Sequence, residues 1–160
     1  MVMLGSAVFL GLKRKFGNSR MWKICTGTVL VVWMTMVIYA TVISREPGNG
    51  NEHFFIPFHS YRAVLKGENP EILRSNFMNV VLCYPAGLLG ASFLPKRWSW
   101  WQRSLLALGA FAALSAAVEV IQFAFALGQL EVDDVIHNSL GASLGTAVGC
   151  ISLQLKKNKE

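Results

Sequence analysis

The chain has 160 residues, 53% of them hydrophobic and 15% charged, with a net charge of +6 and a mean hydropathy of +0.42. Disordered chains have low hydrophobicity and high charge, so that class is excluded, and ordinary soluble domains carry about 25% charged residues, which argues against that class too. The apolar residues fall into blocks about as long as a bilayer is thick, which implies an integral membrane protein with lipid as its first partner.

The first segment, residues 1–23, opens with an apolar stretch too short to span, followed by Lys13, Arg14, Lys15, Arg20 and Lys23. Its charges follow the apolar residues, the reverse of a signal peptide. It is expected to lie along the membrane interface or to pack on the bundle. A membrane domain over 24–153 comes next, with helices expected at about 24–43, 77–94, 104–127 and 135–153, giving an all-α four-helix membrane bundle. Residues 154–160 form a basic tail.

Charge sets the orientation, because Lys and Arg remain on the cytoplasmic side. The N-terminal segment, the 2–3 loop (Lys96, Arg97, Arg103) and the tail (Lys156, Lys157, Lys159) place eleven bases on one side. The 1–2 loop has four bases and four acids, and the 3–4 loop has Glu131, Asp133 and Asp134 with no base. Both termini are therefore expected in the cytoplasm. The positive charge is topological and gives no argument for nucleic acid. In the 1–2 loop, Glu46–Gly50 reads as a turn, His53–Phe58 as an aromatic stretch at the interface, and Tyr61–Lys66 as a short helix ended by Gly67.

Polar side chains inside the apolar blocks must face protein or water. Glu119 lies eight residues before Leu127, roughly 12 Å from the outer boundary at the helical rise. Leu108, Ala112, Ser115, Glu119, Gln122 and Ala126 make one stripe that should face the bundle. On the fourth helix Asp134, Asn138, Gly141 and Gly145 make another, and Gly141, Gly145 and Gly149 form two successive G-x-x-x-G units suited to close packing. On the second, Cys83, Gly87 and Gly90 make a small-residue face, and Pro85 frees the carbonyl of Val81. Topology gathers Asn79, Glu119, Gln122, Asp134 and Asn138 in the outer half. Two readings stand open: a hydrogen-bond network that fixes helix register, or an outward pocket for the polar or cationic part of a ligand. Asp133 reads as a helix cap and His137 as structural. Cys25, Cys83 and Cys150 read as small buried hydrophobes, matching no metal or disulfide spacing. No metal site, cofactor or catalytic residue is expected.

These residues also carry a resemblance. Glu119-x-x-Gln122, Gly128, the run from Asp134 through His137 and Asn138 to Gly141 and Gly145, Ile56-Pro57-Phe58, and Asn79 followed by Pro85 and Gly87 resemble the VanZ-like family in its order over residues 54–149. The chain departs at Gln129, where many members have Arg, at Glu131, where they often have Asp, and at Phe54, where they have Asn. The missing Arg removes an ion pair to Glu119 or Asp134, for which Arg62 or Arg74 is the expected substitute. The resemblance implies a multi-pass protein of the bacterial cell membrane. It links the chain to teicoplanin resistance, through an envelope lipid, a lipid-linked precursor or the lipoglycopeptide itself. A non-enzymatic envelope factor is the leading expectation. A transporter or accessory subunit, possible as a homo-oligomer, is the alternative, and a membrane enzyme with Glu119 as base is the second. No nucleophile elbow or metal-ligand motif favours the enzyme.

Overall fold

The computed structural model describes residues 2–16, 19–48, 53–67 and 70–157. Asn49 and Gly50 of the expected turn, Glu52 and Glu68 of the 1–2 loop, and residues 158–160 of the basic tail lie outside the described residues. Among those described there are six helices: α1 (Val2–Phe16), α2 (Arg20–Ile38), α3 (His59–Leu65), α4 (Glu71–Gly90), α5 (Trp100–Ala124) and α6 (Val132–Lys157). A π-helical turn, Tyr39–Ile43, extends α2. Two segments, Arg20–Ile43 and Trp100–Ala124, are long and apolar enough to cross a membrane. α4 and α6 are as long, but polar residues at their ends and within them lower their hydropathy.

Helix boundaries differ from the apolar blocks because a backbone hydrogen bond is indifferent to side-chain polarity. α4 begins at Glu71, just after Pro70, whose fixed φ suits a helix entry, and ends at Gly90 instead of running to 94. α5 begins at Trp100 because Ser99 and Gln102 form a capping box. It ends before Ala126, whose φ of 53° leaves the helix. Gly67, at φ 93°, lies just beyond α3, where the left-handed conformation a glycine accepts stops the helix.

The pairing of side chains fixes the direction of each helix. Asn79 meets Asp134 and Gly149 meets Ala91, so α4 and α6 run parallel. Ser115 meets Asn138 and Arg103 meets Cys150, so α5 runs antiparallel to α6. Thr41 meets Gln122 while Trp33 meets Leu82, so α2 runs with α5. Every described acid then lies toward one end, here the acidic end. Lys13, Arg20, Lys23, Lys96, Arg97 and Arg103 lie toward the other, the basic end.

The core is the α4–α6 contact. A Cβ added at Gly87, Gly141 or Gly145 would overlap the backbone of Ala142, Val80 or Tyr84, respectively. At Gly149 it would lie 2.8 Å from the Ala91 Cβ. The two backbones touch, and only glycine permits it. Thr146 Oγ1 donates to the Gly87 carbonyl across the contact (3.1 Å). Gly90 meets nothing within 4 Å, so the small-residue face ends at Gly87 and turns to Ala91. Beside the Pro85 interruption, Trp33 Nε1 donates to the Leu82 carbonyl (3.0 Å).

The inward face of α5 is Ser104, Ala107, Ser115, Glu119 and Gln122, all buried. Leu108 is 42% exposed and Ala107 8% exposed, so the expected stripe shifts by one residue there, although ideal helical counting from Ser115 places Leu108 nearer the inward face. On α2 only Thr26 is buried, and Val29, Val31, Val32 and Met36 are exposed. Cys25 is likewise exposed, unlike Cys83 and Cys150, because it lies on this outward surface. α1 packs on the basic half of the bundle, where Ser6 Oγ donates to Tyr84 Oη (3.3 Å) and Lys13 Nζ to the Gly149 carbonyl (3.1 Å).

Candidate functional site

At the acidic end, the two loops are tied into one cap. His53–Phe54 (β1) pairs in parallel with Leu130–Glu131 (β2). The Asp133 carboxylate accepts from Phe58 N, Ser60 N (2.9 Å) and Ser60 Oγ. It therefore caps α3, a helix distant in sequence, and holds Phe58 at φ 61° in the left-handed region. His137 Nδ1 faces the Asp133 carbonyl, which can only accept, so Nδ1 carries the proton. Nε2 then accepts from Tyr61 Oη at 2.8 Å. Asp133 and His137 serve this joint between α3 and α6. Phe55, Ile56 and Phe58 stay exposed around it.

Beneath the cap lies a cavity of about 70 Å³ bounded by α2, α4, α5 and α6. Asn79, Glu119, Gln122, Asp134 and Asn138 all line it. Their bonds link the helices in pairs. Asn79 Nδ2 donates to Asp134 Oδ1 (2.7 Å) and Asn138 Nδ2 to Ser115 Oγ (2.8 Å). Gln122 Nε2 donates to the Thr41 carbonyl (2.7 Å), in the π-helical turn. Glu119 Oε2 accepts from Glu131 N (2.9 Å), drawing the 3–4 loop down over the cavity. Met34, Leu82, Phe111, Leu114 and Val118 supply apolar walls.

Sequence reasoning missed Thr41 and Arg45, and placed Ser115 and Cys83 on inward faces without giving them a part in the site. Cys83 donates to Asn138 Oδ1 (3.3 Å), and Thr41, Ser115 and Arg45 line the cavity. Arg45 is the cation at this site. Its guanidinium donates to the Leu127 carbonyl (3.4 Å) and crosses Gly128, where a Cβ would lie 2.6 Å from Nη1. Arg74 instead pairs with Glu71 on the surface (3.1 Å). Gly48 N donates to the Ala126 carbonyl (2.8 Å), bringing the segment that carries Arg45 against the 3–4 loop. The signal for Arg45 was its place directly after the first apolar block, facing an all-acidic loop. In that loop, burial first and then the charges of Asp134 and Asp133 push the Glu131 carboxyl above its ordinary value, while Arg45 pulls it back.

No cluster of His, Cys, Asp and Glu suited to a metal ion occurs among the described residues. The arrangement can hold a small polar or cationic group between carboxylates and amides.

No curated protein and no solved structure matches the chain. The VanZ/LLP1 family matches residues 26–153, which takes in most of α2, all of α4 and α5, nearly all of α6 and every residue of the cavity. The chain belongs to the VanZ/LLP1 family.

Proposed function

We propose that the protein is a non-enzymatic factor of the bacterial cell envelope that holds the polar tip of an envelope ligand in the cavity under its acidic cap. In this reading α2, α4, α5 and α6 cross the membrane four times and both termini are cytoplasmic. The alternating helix directions, the apolar outer surface of α2 and the separation of basic from acidic ends support that topology. The observation that carries the functional reading is that five polar side chains from three helices share one cavity with Arg45. A register network alone needs no space between its members.

Size constrains the ligand. A water molecule needs about 10–15 Å³, whereas pockets for whole drug-sized ligands run to roughly 300–1,000 Å³. A 70 Å³ cavity takes a few waters, an ammonium or a cluster of hydroxyls. The ligand is thus an envelope lipid, a lipid-linked precursor or a lipoglycopeptide contributing one head-group element, with its apolar part against Phe55, Ile56 and Phe58. Contribution to lipoglycopeptide resistance follows from shielding or sequestering such a target. The glycine seam is filled by α4 within the chain, so a second copy would bind elsewhere, which weighs against the accessory-subunit alternative.

The test is Glu119→Gln in a host whose teicoplanin susceptibility depends on this protein. The expected result is loss of the phenotype at unchanged membrane abundance. Cysteines placed at 79, 122 and 138 in a Cys25/Cys83/Cys150-free background should be labelled from outside by a small charged reagent. Wild-type resistance in the Glu119 variant, or labelling only from the cytoplasm, would defeat the reading.

A further inference from the structure

At the basic end, Lys13 and Arg103 are buried with no acid beside them among the described residues. Lys13 is 4% exposed and Arg103 5% exposed, and both converge on one step of α6. Lys13 Nζ donates to the Gly149 carbonyl, and Arg103 Nη1 lies 3.6 Å from Cys150 Sγ. Arg103 Nη2 donates to the Lys96 carbonyl (2.6 Å). No described acid lies at this end. Glu119 is sixteen residues along α5 from Arg103, about 24 Å away at the helical rise. Burying even a paired charge is costly, and two unpaired cations side by side are more so.

Orphaned polar groups collect in the same place. Of four buried side-chain polar atoms without a partner among the described residues, three lie here: Arg103 Nε, Trp22 Nε1 and Ser92 Oγ. Trp22 packs on Phe9, whose ring is 5.7 Å from Lys13 Nζ, and Ser92 follows Ala91, which faces Gly149. Guanidinium, indole and ammonium groups only donate, so what they lack is an acceptor. An apolar groove of about 280 Å³ adjoins them, running between α1 (Gly5, Phe9), α2 (Val29, Trp33) and α4 (Pro85, Leu88). Phe9 and Leu88 belong both to the groove wall and to the surroundings of Lys13 and Gly149.

We propose that this end of the bundle is a binding site for one anionic phospholipid, its phosphate between Lys13 and Arg103 and an acyl chain in the α1–α2–α4 groove. The site is independent of the acidic cavity. It rests on the proposed topology only for its leaflet, which is the cytoplasmic one. Lys13 reaches the Gly149 carbonyl on a long, flexible side chain, so a swing of that side chain opens Arg103 to a phosphate. Burial lowers the Lys13 pKa to about 8, and a phosphate at that point favours the charged form.

The experiment uses the full-length protein in neutral detergent. Phosphatidylglycerol, phosphatidylcholine with the same acyl chains and inorganic phosphate are titrated separately, with binding read by native mass spectrometry and by the shift in melting temperature. Two cations at the usual attraction to an anionic head group predict phosphatidylglycerol binding about thirtyfold tighter than phosphatidylcholine. The Lys13→Gln/Arg103→Gln double variant should bring the two lipids to parity. Leu89→Trp, at the groove wall, should weaken both lipids while keeping the preference between them. Glu119→Gln should leave every lipid arm unchanged, separating this site from the acidic cavity. Equal binding of the two lipids by the wild-type protein overturns the proposal without recourse to any variant. Stabilisation by inorganic phosphate equal to that by phosphatidylglycerol also overturns it, since the site would then recognise a free anion.

Discussion

The two ends of the bundle bury charge in opposite ways. At the acidic end, Asp133, Asp134 and Glu119 each accept a hydrogen bond from a named donor on another element. Arg45 lies within range of the acids there. At the basic end, among the described residues, Lys13 and Arg103 donate to neutral acceptors, and three polar atoms nearby have no partner. The first arrangement is closed except for the cavity it encloses. The second is incomplete. Buried charges are tolerated when their bonds are satisfied, so the acidic end reads as structure built around a small space, and the basic end as a surface awaiting an anion.

Between the ends lies the glycine seam, and breaking it should have the largest effect. Gly145→Leu drives a branched side chain into the Tyr84 and Leu88 backbone and should cost at least about 4 kcal/mol, with no folded monomer recovered by size exclusion in detergent. Gly109→Ala, at a helical position with nothing within 4 Å, should fold and melt slightly higher. Similar behaviour of the two variants would show that the close α4–α6 approach does not hold the ends in place.

A smaller loss tests whether the acidic cap is held by charge. Asp133→Asn keeps the shape but turns an amide NH2 toward donors at Phe58 and Ser60. It should cost about 2–3 kcal/mol and speed hydrogen exchange across α3 while leaving α5 protected. Unchanged exchange in α3 would mean that the β1–β2 pairing alone secures the cap.

The smallest effect is a pH slope at the basic end. The folded-state pKa of Lys13 is about 8, below its ordinary 10.5, so the unfolded chain binds more protons across that interval. Stability should therefore rise as pH increases from 8 towards 10.5. Lys13→Met should flatten the slope measured in lipid-free detergent, as should saturating phosphatidylglycerol. A slope that persists in Lys13→Met would assign it to other groups.

Much of this was legible along the chain. The apolar blocks, the sorting of Lys and Arg from Asp and Glu, and the polar positions inside the blocks follow from composition and from the helical period, both local properties. Asn79, Glu119, Gln122, Asp134 and Asn138 were recognisable because a polar residue in an apolar helix needs a neighbour. The neighbour's identity was not. Arg45 and Thr41 are unremarkable in their own segments, and Ser115 and Cys83 showed only an inward face; all four matter through what folds against them. Arg62 and Arg74 were equally plausible counter-ions until Arg74 was found with Glu71.

By itself, then, the order of residues determined the helical class, the separation of charge and the positions too polar for their surroundings, since each depends on a residue and its near neighbours. The tertiary structure alone decided which groups meet: that Asp133 caps α3 and not its own helix, that α1 lays Lys13 against Gly149, and that a small space survives between Glu119 and Asp134. Those outcomes depend on how closely two backbones approach and at what register. That geometry is set by contacts between residues sixty or more positions apart, such as Val80 with Gly141, and no local pattern records it.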